Sequence, residues 1–487
     1  MAGMTGYKHH TKAILSLGVP LVGSHVAQFA ITLTDTIMLG WYDVTALAAQ
    51  VLASGFFFII FITGSGFAWA VTPLVAEAEA RGDTTQARRA TRMALWLVTL
   101  YTIVTLPVML FAELIFLAIG QEAVIAELAG VYLKVAGLGL LPAVVVMVFK
   151  SFLSALERTR VILIVTLAAV VVNVAFNGVL IFGNLGFPEM GILGAAVASV
   201  GTQLVSVLLL IVYILRKLPE HTMFQRMWRP DWEAFGRVFH LGVPIGMTTL
   251  AEVGLFSASS VMMGWLGERA LAAHGIALQI SSLTFMIHIG LSNAATVRAG
   301  RALGRRDWTG MRDGAWAAIA VSLLVALATI ALFLLMPEPL IGLFLDPDDP
   351  RRSEVIAIGA VLLAAAALFQ LVDAAQVMAI GILRGVQETR VPMIIATISY
   401  WVVGLPVAYG LGFPLGWGGV GIWLGLAAGL AVAAILLMLW FWRRVYPRLS
   451  QREGRLSADD EAVRHAAESA ALLVAADHDG VRPSPGP

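Results

Sequence analysis

Three carboxylates stand where carboxylates are costly. Asp35, Glu252 and Asp373 are each the lone acid of a long apolar run, and between 355 and 383 Asp373 is the one formal charge. An Asp at the centre of a bilayer-spanning helix costs about 2.5–3.5 kcal/mol. The sequence places no Lys or Arg at comparable depth; Lys134 and Lys150 fall near the ends of their run. The acids must therefore be protonated, bind a cation or face water, which are the properties of a cation- or proton-coupling site. Glu252 and Asp373 are candidates for holding Na+ or H+.

Their neighbours are polar at helical spacing. His25, Gln28, Thr32 and Asp35 follow one another by 3, 4 and 3 residues, which is one helix face. Thr248, Thr249, Glu252 and Ser259 form a similar stripe, and Gln370 lies one turn before Asp373. Asn173 and Asn177 are four residues apart, and their amide oxygens suit Na+ or a protonated acid. Plainer readings stand beside these. A buried acid can simply bridge two helices, an Asn pair can be helix–helix glue, and His25, His274 and His288 have no metal-ligand spacing. Met247, Met262, Met263, Met286 and Met378 read first as core or lipid-facing, and second as an adaptable pocket lining.

The elements that must carry these groups are membrane helices. The 487-residue chain is 59% hydrophobic and 13% charged, whereas soluble domains are about one quarter charged. Runs of about 20 apolar residues can cross the hydrocarbon. They are expected near 14–39, 47–74, 93–118, 130–151, 161–182, 191–215, 238–264, 271–297, 314–336, 355–383, 393–413 and 419–442. The first is too long for a signal-peptide core and is read as a span. The chain is thus an all-α polytopic membrane protein. Arg and Lys crowd the N-terminal segment and the loops after even-numbered spans, as at Arg81, Arg88, Arg89 and Arg92. The alternate loops carry only Arg269, Arg351 and Arg352. Positive charge stays inside, so both termini are expected in the cytoplasm, the membrane being the bacterial inner one.

The chain also repeats itself. LGVP at 17–20 returns at 241–244, and 12 of the 35 positions from 17 to 51 are identical 224 residues later. ERTRV at 157–161 is echoed by QETRV at 387–391. Two six-helix bundles that start on the same side are parallel repeats, a plan common in transporters. The expected organisation is an N-terminal segment 1–13, an N-lobe 14–215, a basic linker 216–237, a C-lobe 238–442 and a largely disordered tail 443–487. Within the tail, 457–474 could form a short amphipathic helix. Net charge +1 calls for no nucleic acid, the absence of Cys removes disulfides and thiolate chemistry, and there is no phosphate-binding loop for an ATP motor. No cofactor beyond a coupling ion is called for, and a single chain is the expected unit.

DTIMLG at 35–40, the doubled LGVP, TP at 72–73 and GILGAA at 191–196 resemble the multidrug and toxic compound extrusion family. TTLAEVGLFS at 248–257 and the run 369–392 are similar to its NorM branch. The resemblance covers about residues 10–445. It implies a cation-coupled antiporter that expels amphipathic, often cationic drugs and dyes through a cleft between two lobes by alternating access. It places Asp35, Asn173 and Asn177 in an N-lobe polar cluster, Glu252 and Asp373 in a C-lobe cation site, and Phe285 of LTFM beside that second site. Gln28, Thr32, Thr249 and Gln370 are the further cleft candidates. The resemblance is compatible with H+ coupling and with Na+ coupling. Three other readings stand beside it. A flippase for lipid-linked precursors, of the same superfamily, would want a basic cleft for pyrophosphate. An embedded acyltransferase would want His and acid in reach, yet His25 and Asp35 lie roughly 15 Å apart along a helix. A passive channel suits kinked, duplicated halves less well than a rocking carrier.

Overall fold

The computed structural model describes residues 2–345 and 350–451, with side chains from residue 7. Among these residues there is no strand, and twelve helices are long and apolar enough to cross a membrane. They are α1 Tyr7–Tyr42, α2 Val44–Ala80, α3 Thr84–Leu110, α4 Ala123–Ala155, α5 Thr159–Leu180, α6 Gly191–Lys217, α7 Trp232–Trp265, α8 Glu268–Arg305, α9 Trp308–Leu335, α10 Arg352–Gly385, α11 Arg390–Gly412 and α12 Gly418–Gln451. In hydrocarbon a backbone must satisfy its own hydrogen bonds, and mean hydropathies of 1.3–2.8 leave the helix as the available form. Four of the starts are set by an Asp just outside the helix. Asp43, Asp83, Asp231 and Asp307 accept from the amides of Ala46, Gln86, Ala234 and Gly310 at 2.7–3.1 Å, a cap worth about 1 kcal/mol each.

The helices overrun the expected spans by a turn or two, mostly at the arginine-rich end. The third span departs further. It was expected over 93–118, but α3 stops at Leu110, Phe111 leaves helical geometry, and Ala112–Ala118 forms a separate short helix. That piece carries Glu113, which pairs with Lys134 at 3.2 Å, so hydropathy alone ran two elements together. The fourth span tightens to a 3-10 turn at Gly137–Gly139. The eleventh widens to a π-helical stretch at Ser399–Gly404.

The chain falls into a large unit, 1–437, and a second unit, 438–487. In the described part of the second, a π-helical turn at Phe441–Val445 stacks Phe441, Trp442 and Tyr446 on one another. The expected tail helix at 457–474 lies outside the described residues. In the large unit, α1 packs on α5, α5 on α6 and α2 on α4, while α8 and α9 pack on α10 and α7 on α11. The two halves meet through α1 against α8 and α9, and α2 against α7 and α8.

These meetings gather toward the arginine-rich end, called the basic end below. A Cβ on Gly66 would lie 2.4 Å from the carbonyl oxygen of Gly242, and one on Gly304 2.4 Å from that of Glu77, so glycine alone allows these backbones to touch. Arg301 ties Glu157 at 3.3 Å and the Ala155 carbonyl at 3.2 Å, Arg298 meets His10 at 3.1 Å, and Gln387 donates to Glu77. The linker is pinned here too. Arg89 pairs with Asp231 and Glu233, Arg92 donates to the Arg226 carbonyl, Trp96 to that of Met227, and His221 meets Glu79 at 2.8 Å.

Candidate functional site

The N-terminal half builds its site from α1, α5 and α6. Asp35 is buried, and the four-residue spacing of Asn173 and Asn177 sets both amides on the face of α5 turned to it. Asn173 donates to Asp35 Oδ1 at 2.9 Å and Asn177 to the same oxygen at 2.5 Å. Ser199 of α6 donates to Oδ2 at 3.2 Å. Three donors on one carboxylate suit its ionised, acceptor-only form. The amides thus turn their nitrogens, not their oxygens, to the acid, which departs from the expectation that the oxygens would meet Na+ or a protonated acid. The Asn177 oxygen is left buried without a partner. The sequence reading missed Ser199. Its signal was the polar stripe Ser199, Thr202, Gln203 and Ser206 at helical spacing on α6, which the sequence reading did not pick out.

The C-terminal half is arranged in the opposite way. Asp373 of α10 is 1% exposed, and neither of its oxygens has a hydrogen-bond partner. Glu252 of α7 also buries an unpartnered oxygen, and its charge acts on Asp373 and, with that of Asp373, on the Tyr400 hydroxyl of α11. The amides flanking Asp373 are engaged elsewhere. Gln370 donates to Thr284 Oγ1 at 2.6 Å and to the Ser281 carbonyl on α8, and Gln376 to the Tyr400 hydroxyl at 2.5 Å. Behind them Phe256, Phe369 and Trp423 stack edge to face at 5.5–5.8 Å. Buried carboxylates to which no neighbour donates do not both stay ionised without a cation or a proton. Among the described residues no three His, Asp or Glu side chains cluster as a metal cage, so a cation here would rest on the acid pair and neutral oxygens.

The other predicted residues divide. Gln28 accepts from Lys150 at 3.3 Å and lines a small cavity inside the N-terminal half with Thr166, Thr202, Gln203 and Ser206. Thr32 is exposed, Thr249 donates to the Ile245 carbonyl of its own helix, and Phe285 is half-buried on α8. His274 and His288 are engaged by serines, and His25 meets Asn293 of the opposite half at 3.1 Å, as hydrogen-bonding rather than ligating residues.

The expectation that no base approaches the acids needs correcting. Lys150 reaches the polar interior beside Gln28, since α4 runs on to Ala155 and turns this residue inward. Arg384 of α10 exerts its field on Glu252. Neither forms an ion pair with Asp35, Glu252 or Asp373; among the described residues the ion pairs involve other acids. Long side chains near span ends ordinarily extend their heads toward water, and hydropathy does not reveal the two that turn inward here.

Comparison with known proteins agrees along the chain. The MatE family matches residues 20–179 and 244–410, one stretch in each half. The probable multidrug resistance protein NorM of Rhizobium meliloti (strain 1021) is 49% identical over 436 residues, 89% of this chain and 93% of the relative. That of Agrobacterium fabrum is 44% identical over 442 residues, 90% and 95% of the two chains. Among solved structures, a MATE protein in the bent conformation superposes with a TM-score of 0.83 at 21% identity, over 93% of this chain and 99% of that one. The eukaryotic MATE transporter AtDTX14 gives 0.81 at 19% identity, over 92% and 99%. At these identities the structures bear on the fold alone.

Proposed function

The chain belongs to the MatE family, whose members are transporters rather than enzymes, and from that premise we propose that it is a cation-coupled multidrug antiporter. It exports amphipathic, often cationic compounds from the cytoplasm through a cleft between its halves. The observation that carries the reading is the contrast between the two acid sites. Asp35 is fully satisfied by its own neighbours, whereas Glu252 and Asp373 lack donors and require a cation or proton to be neutral.

The multi-pass fold sits in the bacterial cytoplasmic membrane with the basic end inward, as the distribution of Arg and Lys favours. The halves meet at that end, and in this orientation the joint closes the cytoplasmic side. From outside, a cation enters the C-terminal acid pair and replaces a positively charged drug. Neutralised, the pair favours the return state. Drug and coupling ion thus bias one two-state element in opposite directions. Asp35 and its amides form the N-terminal wall of the cleft, and Gln28, Thr32, Thr249, Phe285 and Gln370 are its further candidate contacts.

Ethidium efflux from proteoliposomes, with a pH gradient and a Na+ gradient imposed separately, tests this. One of the two gradients should accelerate efflux at least tenfold over no gradient. Efflux indifferent to both would discard the coupling. Competition by a lipid-linked pyrophosphate would favour a flippase instead.

A further inference from the structure

Arg384 has no place in the scheme above. It lies on α10, eleven residues beyond Asp373, which is three turns and roughly 16 Å along the same helix face. Its guanidinium carbon stands 5.5 Å from the ring centroid of Trp69, which belongs to α2 of the opposite half. Its Nε is buried with no hydrogen-bond partner, and among the described residues it forms no ion pair with a carboxylate. On α7 of the same half, a Glu252 oxygen is also buried and unpartnered. The arginine's field falls on Glu252, and that of Glu252 falls in turn on Asp373. Each group lacks what the other would supply.

We propose that Arg384 is a tethered substitute cation for Glu252, parked on Trp69 while the basic end is closed and released to the carboxylate when that end opens. The Trp69 contact crosses between halves, so it lasts only as long as the halves meet. A guanidinium on an indole face is held less firmly than one on a buried carboxylate. When α2 withdraws, the stronger partner is the acid on the arginine's own half. A guanidinium arriving at Glu252 displaces a bound Na+, or takes the place of a proton that leaves to water, on the basic side. Closure returns Arg384 to Trp69 and leaves the acid open to the next ion from outside. The arginine thereby assists the incoming drug in discharging the ion at the basic face.

This rests on the cation-coupled reading, and the test separates the two. Purified full-length protein in liposomes is assayed for gradient-driven ethidium transport and for ethidium exchange at equal ion concentrations. Exchange carries dye both ways and does not require the ion to leave. Arg384→Gln should lower gradient-driven transport at least tenfold more than it lowers exchange, and Arg384→Lys should recover part of the loss. Trp69→Ala should raise the external ion concentration for half-maximal transport several-fold, because a freed arginine competes at Glu252, with Trp69→Phe intermediate. Equal losses of both activities in Arg384→Gln with no recovery in Arg384→Lys would reduce the residue to a structural role. Should Arg384→Gln not yield folded protein, Trp69→Ala decides, and an unchanged ion dependence overturns the proposal. Wild-type protein that ignores both ion gradients would instead remove the coupling beneath it.

Discussion

At the scale of residues, the two acid sites differ by what surrounds them, not by what they are. Asp35 is held by two amides and a hydroxyl, while Asp373 is held by nothing. Neutralising each should therefore move stability in opposite directions. Asp35→Asn sets an amide against amide donors and leaves buried groups unmatched, a loss of about 1–3 kcal/mol. Asp373→Asn replaces a buried acid that has no hydrogen-bond partner to lose with an uncharged side chain of the same shape, which can be neutral or stabilising. Thermal unfolding in one detergent should show Asp35→Asn melting several degrees below wild type and Asp373→Asn at or above it. Gradient-driven efflux should fall at least tenfold in Asp373→Asn and in Glu252→Gln, despite unharmed folds.

At the scale of elements, what governs is where helices stop and what fastens their ends. The twelve spans, the lone acids and the α5 amides were legible because a charge in an apolar run and a four-residue spacing are local signals, whereas the pairing of Glu252 with Asp373 was implied by the family resemblance alone. The short helix at Ala112–Ala118 was not, since Phe111 breaks the helix without breaking the hydropathy. Ser199, and the inward reach of Lys150 and Arg384, depend on which neighbour each helix faces, which no single span encodes. The linker gives a checkable case. Arg89, donating to Asp231, together with the Ala234 amide, holds that carboxyl down to about 2, against about 3.9 in an unfolded chain. The stabilisation is present in full above about pH 4 and is lost as pH falls from there toward 2. Asn caps a helix as well as Asp does. Asp231→Asn should therefore melt roughly 1–3 °C below wild type at pH 7, with the gap closing as the pH is lowered through that window. A gap that persists unchanged below pH 3 would mean the charge is not what fastens the linker.

At the scale of the whole molecule, the halves are joined at one end, and the joint is made of close backbones that only glycine permits. The chain has no native Cys, so pairs can be introduced without removing any. A Cβ on Gly300 would lie 3.0 Å from that of Ala76, within easy adjustment of disulfide geometry. The pair Ala76→Cys with Gly300→Cys should crosslink on oxidation and stop transport by fixing the basic end shut, and reduction should restore it. Rapid crosslinking with undiminished transport would mean that this end need not open. The most direct measurement of the central claim is ion release on drug binding. Purified protein in weakly buffered detergent is mixed with a cationic dye while pH and protein-bound Na+ are followed. The account predicts that wild type gives up protons or Na+ as dye binds, and that Glu252→Gln combined with Asp373→Asn gives up neither. Wild-type protein that binds the dye and releases no ion of either kind would contradict it.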